Sequence, residues 1–245
     1  MTEGATAPVN STIGIVCVPS ADDRPSDKHR RKFGSRPLLE LIVRRLTDCQ
    51  RLDRVLVVAG QDSEGDLLAD LVPPDVSIHL SERPDLVGRL MSVIEVTGAS
   101  ALVKIDAEHP FVDPILIDRL ATTAKSHPDC DYIGFCFRDG RPVVRSPLGT
   151  FAEWFRADAL CRADRKAKTP EDREQVTRFL CSRPERFQLR FIPVPSALEL
   201  DNVRLTVDDH EAWEHAQTIY DWMGPEGLDW RTIAEVLSGS SAGAR

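Results

Sequence analysis

A doubly wound α/β fold, with a mostly parallel sheet and an antiparallel addition in its second half, is predicted by three features of the sequence. Short continuous apolar runs at Ile13 to Val18 (IGIVCV), Arg54 to Ala59 (RVLVVA) and Ala101 to Ile105 (ALVKI) have the texture of strands buried on both faces. Stretches with apolar residues at helical spacing separate them, and such alternation sets strands in parallel. From Tyr132 the texture changes: Asp139-Gly140, between Tyr132 to Phe137 and Pro142 to Arg145, is a hairpin signal and brings antiparallel pairing.

The elements follow in order. After a leader rich in Ser, Thr and Ala, the first strand runs into a polar loop, Pro19 to Arg36. That loop ends at Pro37, where Leu38, Leu39, Leu41, Ile42 and Leu46 fall at helical spacing. Glu64 to Leu71 reads as a short helix, Val76 to Leu80 as a strand and Pro84 to Thr97 as a helix. The strand ending at Ile105 leads to a helix over Ile115 to Lys125. Further on, a helix with an irregular start covers Thr150 to Lys166 and another runs from Pro170 to Ser182. Strands are expected at Gln188 to Val194 and Arg204 to Val207, and helices at His210 to Trp222 and Asp229 to Leu237. Residues 1–11 read as a disordered leader, 12–238 as one domain and 239–245 as a disordered tail.

Composition narrows the function. A chain of 245 residues that is 42% hydrophobic and 29% charged supplies one sizeable core and is short for two. Its 31 Lys and Arg against 39 Asp and Glu, net −8, argue against a nucleic-acid partner, since phosphate backbones are held by basic patches. No apolar run approaches the roughly 20 residues a membrane helix needs, and MTEGATAPVNST lacks the basic and apolar regions of a signal peptide, so a cytoplasmic protein with no membrane partner is expected. Cys17, Cys49, Cys130, Cys136, Cys161 and Cys181 form no CxxC pair and read as reduced thiols among apolar neighbours. The absence of GxSxG, Walker A and GxGxxG patterns weakens hydrolase, P-loop and dinucleotide-binding readings.

In open α/β sheets ligands bind beyond the carboxyl ends of the strands, which directs attention to the loops after Val18, Leu80, Ile105 and Val207. The first carries Arg24, Lys28, Arg30, Arg31 and Lys32, donors suited to a triphosphate; a solvated charged loop is an equal alternative. The loop after Ile105 offers Asp106 and Glu108, and that after Val207 offers Asp208, Asp209 and Glu211. Carboxylates on separate strand ends suit Mg²⁺, which takes one or two carboxylates plus substrate phosphates. Helix capping competes for the same acids: Asp113 before Pro114, and Asp208 or Asp209 before Glu211, are good N-caps. His109 and His210 lie on these loops, but the histidines show no metal-ligand spacing.

Several of these segments together resemble the SpsF-type cytidylyltransferases, a likeness that spans about Ile13 to Tyr220. The family's first loop has the form R-x-G-S-x-R-L-P-x-K, followed after eight residues by P-L-L-E. Here Lys28 stands in register with Pro37-Leu38-Leu39-Glu40, and Arg24 with the loop's second arginine. The family's S-x-x-x-D-V-L-x-R is nearly intact as Ser81, Asp85, Leu86, Val87 and Arg89. Its T-G-D-C-P-L-I-D-P corresponds to Asp106 to Pro114, with Glu108 in place of the metal-binding aspartate. E-H-V-T is matched by Glu174, Gln175, Val176 and Thr177, and R-L-T-V-D by Arg204 to Asp208.

The resemblance implies a GT-A-like nucleotidyltransferase fold that takes CTP and Mg²⁺ and moves a cytidylyl group to a sugar hydroxyl for a surface polysaccharide. It further implies that Glu108 and Asp208 hold Mg²⁺, that Lys28 and Arg24 act on the triphosphate, and that Ser81, Asp85, Arg89 and Asp106 line the nucleotide and sugar pocket. Family members often pair as homodimers, although nothing in this chain fixes the oligomer.

The first loop also departs from the family pattern. Its first Arg is Pro19, its Gly is Ala21 and its Ser-Thr pair is Asp22-Asp23. Two carboxylates lie where phosphate approaches, and at about 4 Å with an effective dielectric near 20 like charges repel by roughly 4 kcal/mol. Ala in place of Gly restricts backbone conformations that present amides. These changes support an alternative reading, a catalytically inactive paralogue that binds a nucleotide or serves as a partner or regulatory subunit.

Overall fold

The computed structural model of the chain describes residues 11–19, 30–61, 65–200, 203–224 and 227–242. Its first half alternates strand and helix as the sequence predicts, with a two-stranded ribbon added at the end of the expected polar loop: β1 (Thr12–Cys17), the ribbon of β2 (Lys32–Phe33) and β3 (Arg36–Pro37), α1 (Leu38–Thr47), β4 (Arg54–Gly60), α2 (Gly65–Leu71), β5 (Ser77–Ser81), α3 (Leu86–Thr97), β6 (Ala101–Asp106) and α4 (Pro114–Ser126). The second half holds β7 (Tyr132–Cys136), β8 (Glu153–Arg156), α5 (Ala157–Lys166), α6 (Pro170–Glu174), α7 (Val176–Cys181), β9 (Leu189–Pro193), α8 (His210–Met223) and α9 (Trp230–Ala242).

Among the described residues one seven-stranded sheet runs β5-β4-β1-β6-β8-β7-β9. β5, β4, β1 and β6 are parallel, β8 is antiparallel to both β6 and β7, and β9 is parallel to β7. The mostly parallel doubly wound sheet with an antiparallel addition is therefore present. Chain order reverses at β1, which pairs with β4 on one side and β6 on the other, so the switch point lies between the carboxyl ends of β1 and β6. There Cys17 is in register with Asp106, and the amide of Ala107 donates to the carbonyl of Cys17 at 3.0 Å.

The two faces of the sheet explain the continuous apolar runs. In β1, Ile13, Ile15 and Cys17 point into a core layer with Val87 and Leu90 of α3, Leu160 of α5 and Phe179 of α7, whereas Val16 packs with Leu39 and Ile42 of α1, Leu116 of α4 and Trp213 of α8. Alternate residues thus feed opposite helical layers, and no polar position is needed along the strand.

Five expectations are corrected. The segment read as an irregular helix start, Thr150 onward, contains β8; Trp154 and Phe155 are buried between layers, and the strand inserts between β6 and β7. The Asp139-Gly140 turn forms, with Gly140 at φ 84°, but its return arm makes a single bridge from Pro142 to Cys136 before a 3-10 turn at Val143–Arg145. Pro142 cannot donate to a ladder, which accounts for the early end. The helix expected over Pro170 to Ser182 is broken at Gln175 (φ −111°, ψ 63°). Arg204 to Val207 is not a strand; its amides at Leu205 and Thr206 instead donate to Pro147 O at 2.9 and 3.2 Å. The last helix also continues through Ala242, so the first residues of the expected tail are helical.

Candidate active site

The first loop ends on a rigid anchor. Phe33 is fully buried and meets Phe111, Trp213 and Tyr220 edge-on, at centroid distances of 5.7, 5.5 and 4.9 Å. Gly34, at φ 66°, lets the ribbon turn where a Cβ would fall 2.3 Å from the Tyr220 ring. Of the loop's basic residues, Arg31 lies over the Trp213 ring at 4.3 Å, while Arg30 and Lys32 are exposed. Lys28 and Arg24, together with Ala21, Asp22 and Asp23, lie outside the described residues.

The acids split as the capping argument requires. Asp113 caps α4 by accepting from Leu116 N at 3.0 Å, and Asp209 caps α8 by accepting from Ala212 N at 2.8 Å. The cap of α8 thus falls to Asp209 and not to Asp208. The loops that carry Asp208 and Glu108 are joined by the backbone: Val207 N donates to Glu108 O at 3.0 Å. Two carboxylates 100 positions apart in sequence thus come from adjoining chain segments. Asp208 Oδ1 accepts from Arg204 at 2.8 Å and from the Thr206 hydroxyl at 3.0 Å. Burial acts to raise the Asp208 pKa, but Arg204 and the local hydrogen bonds outweigh it and hold the carboxyl below its ordinary value. Oxygen donors from two adjoining loops are the donor chemistry that suits a hard divalent cation completed by substrate phosphates. Among the described residues no group of three or more His, Cys, Asp or Glu forms a metal cluster.

Arg89 is one of the expected pocket residues. It is 5% exposed on α3, its Nη1 donates to Val18 O at 3.2 Å, and Nη2 stands 3.8 Å from Glu174. Its Nε has no hydrogen-bond partner among the described residues. A guanidinium with donor capacity to spare thus sits at the carboxyl end of β1. Ser81 is buried beside Ser92, oxygen to oxygen 2.9 Å, and accepts from Arg83 N at 3.2 Å, which makes it part of the packing that carries Arg89. Asp85 is occupied structurally: Oδ1 accepts from Gly88 N at 2.8 Å as the cap of α3, and Oδ2 is 2.7 Å from Arg173 Nε.

Asp106 belongs to a network that sequence reading missed. Lys104, 6% exposed, places Nζ 2.8 Å from Asp106 and 3.6 Å from Glu153 Oε2. Glu153, 4% exposed at the start of β8, accepts from Tyr132 Oη at 2.9 Å and from the Thr177 hydroxyl. Burial alone would lower the Lys104 pKa; the two carboxylates reverse this and raise it. Burial raises Glu153 despite Lys104, whereas at Asp106 the pull of Lys104 and His109 overcomes burial and lowers the value. Burial also drives His109 toward its neutral form. The sequence signal was available: a Lys inside ALVKID and a Glu inside TFAEWF interrupt otherwise apolar runs.

The family model of the MobA-like NTP transferase domain matches residues 23–179, more than half of the chain. The chain belongs to the MobA-like NTP transferase family. Among its relatives, the spore coat polysaccharide biosynthesis protein SpsF of Bacillus subtilis is 26% identical over 222 residues, covering 88% of this chain and 89% of that protein. An uncharacterized protein of Methanocaldococcus jannaschii is 25% identical over 229 residues, covering 92% and 89%. A cytidylyltransferase from Leptospira borgpetersenii superposes with a TM-score of 0.81 at 18% identity, over 96% of both chains. A CMP:2-keto-3-deoxy-manno-octonic acid synthetase in complex with CTP gives 0.63 at 12% identity, covering 86% of this chain and 98% of that one. The resemblance to SpsF read from the motifs is borne out, and this NTP transferase is a divergent member of that group. Among the described residues no helix is long and apolar enough to cross a membrane.

Proposed function

We propose that this NTP transferase is a cytidylyltransferase that moves CMP from CTP to a sugar hydroxyl in surface polysaccharide biosynthesis. The observation that carries the reading is the meeting of the Glu108 and Asp208 segments, through Val207 N to Glu108 O at 3.0 Å, beside the β1–β6 switch point. The SpsF and cytidylyltransferase likenesses support the choice of nucleotide and sugar. Glu108 and Asp208 would hold Mg²⁺, which when bound neutralises charge on the phosphates.

In the reaction the acceptor oxygen bonds to the α-phosphorus, the bridging α–β P–O bond breaks, pyrophosphate leaves and the hydroxyl proton passes to solvent. Lys28 and Arg24 serve as cations for the triphosphate, Arg89 offers its spare donor beside β1, and Asp106, fixed by Lys104, stays ionised at the rim. Titration calorimetry with CTP, with and without Mg²⁺, tests this directly: metal-dependent micromolar affinity is expected, and no CTP binding under either condition overturns it. Lys28→Ala should abolish pyrophosphate release; unchanged turnover removes Lys28 from the mechanism.

The sequence of the first loop, with Pro19 and Asp22-Asp23, favours a second reading as an inactive nucleotide-binding or partner subunit. CTP binding without pyrophosphate release from any sugar would favour it.

A further inference from the structure

Beside the switch point lies a cavity of about 380 Å³ whose polar lining comes from Lys104, Glu153, Glu174, Gln175, Thr177 and Arg178. We infer that this cavity takes the acceptor, and that the part of the acceptor it takes is a neutral, hydroxyl-rich ring rather than a carboxylate. The inference rests on the transferase reading and adds to it the wall and the charge class of the second substrate.

Position is the first argument. Lys104 is shared between the cavity floor and the Asp106 ion pair at the end of β6, and Glu174 on the opposite wall stands 3.8 Å from Arg89, which bonds Val18 O at the end of β1. A ring seated there has its hydroxyls next to the nucleotide end of the sheet. The wall is also fixed in place. Arg173 ties α6 to Asp85 and Asp164 at 2.7 and 2.8 Å, Thr177 of α7 donates to Glu153, and the break at Gln175 exposes Glu174 and Gln175 together.

Charge decides the class. Lys104 already faces Asp106 and Glu153, and Arg89 faces Glu174. Of the cations lining the cavity, only Arg178 has no carboxylate neighbour among the ion pairs found for the described residues, and it is exposed at the rim, where solvent screens it. An acceptor carboxylate would enter between Glu153 and Glu174, where Lys104 is already matched by two carboxylates and the Arg89 guanidinium is not among the groups lining the cavity. Hydroxyls, by contrast, can donate to the half-exposed Glu174 carboxylate and the Gln175 amide oxygen, while Leu86 and Val144 offer apolar surface to the C–H face of a ring.

The test uses glucose and glucuronate, the same ring with and without a carboxylate, in hydrogen–deuterium exchange on the full chain. Glucose should slow exchange across residues 170–181 at about one-tenth the concentration needed for glucuronate, and Glu174→Gln should erase that preference. Glucuronate protecting this segment as well as or better than glucose, or neither sugar protecting it, overturns the inference. CTP protection over β1 and β6 is read in the same experiment; its loss would count against the nucleotide reading while leaving the sugar comparison interpretable.

Discussion

Arg173 Nε lies 2.7 Å from Asp85 Oδ2, while the other oxygen of that carboxylate accepts from Gly88 N at 2.8 Å. One side chain therefore caps α3 and anchors α6, and hydrogen bonds to the Asp85 and Asp164 carboxylates raise the Arg173 pKa. The cap and the pair are separable. Asp85→Asn keeps an N-cap acceptor and loses only the charge pair, at a cost of about 1–2 kcal/mol given that the two side chains remain 20% and 24% exposed. Asp85→Ala loses the cap as well, for roughly 1 kcal/mol more. Urea midpoints of the two variants check this, and equal midpoints would remove the cap from the account.

Lys104 neutralises two carboxylates at the floor of the site, and taking it away leaves Glu153 buried without its cation. Lys104→Met should destabilise the chain by about 3 kcal/mol near pH 8. The direction with pH follows from Glu153. Its folded pKa is raised, so the folded state holds that proton more tightly, and the associated stability is present below the unfolded carboxyl value and lost as pH rises through the folded one. Removing Lys104 removes what holds the folded value down and enlarges the effect. Denaturant midpoints of wild type and Lys104→Met should therefore lie closer together at pH 5 than at pH 8; a gap that widens on acidification contradicts the assignment.

Cys17 ends β1 at the switch point, where burial pushes its thiol up to about 12. At pH 8 such a thiol is thiolate in only about one molecule in ten thousand, too little for ready alkylation. Iodoacetamide should modify the partly exposed Cys130, Cys136, Cys161 and Cys181 in the native protein and leave Cys17 unlabelled until denaturant is added. Peptide mapping reads the order of labelling, and early modification of Cys17 would show that the strand end is open to solvent.

What the sequence made legible was whatever depended on local pattern. IGIVCV, RVLVVA and ALVKI were readable as strands because both faces are covered and the runs are almost wholly apolar, Lys104 being the exception. The cap at Asp113, and a cap at one of Asp208 and Asp209, also followed from residue types at short spacing, whereas the strand order that sets the switch point did not. β8 was not legible: TFAEWF carries a Glu whose burial is compensated by Lys104, Tyr132 and Thr177, three partners from distant segments, and the stretch reads instead as the irregular start of the helix that follows. Arg204 to Val207 has strand-like composition, yet its amides at Leu205 and Thr206 go to Pro147 O, a choice made by tertiary packing. The split roles of Asp85 and Arg89 were hidden for the same reason. Spacing places both at the start of one helix, but only the position of Arg173 shows that Asp85 is already engaged.

Gly149 controls how the Asp208 segment is held. It adopts φ 58°, and a Cβ there would lie 2.9 Å from Thr206 Cγ2, 3.1 Å from Thr206 N and 3.3 Å from Leu205 C, two of them backbone atoms. The same stretch gives two amides to Pro147 O and, through Val207, one to Glu108 O. Gly149→Ala should thus carry both the left-handed backbone penalty and a displacement of residues 205–207, together about 2–3 kcal/mol. Gly98 supplies the control: it ends α3 at φ 68° with nothing within 4 Å of where a Cβ would stand, so Gly98→Ala carries only the backbone part, about 1 kcal/mol. Only the Gly149 variant should also weaken Mg²⁺-dependent CTP binding, because only it shifts Asp208 relative to Glu108. Urea midpoints and calorimetric titration separate the two effects, and equal losses of CTP affinity in both variants would mean that the contact between Gly149 and Thr206 does not govern the site.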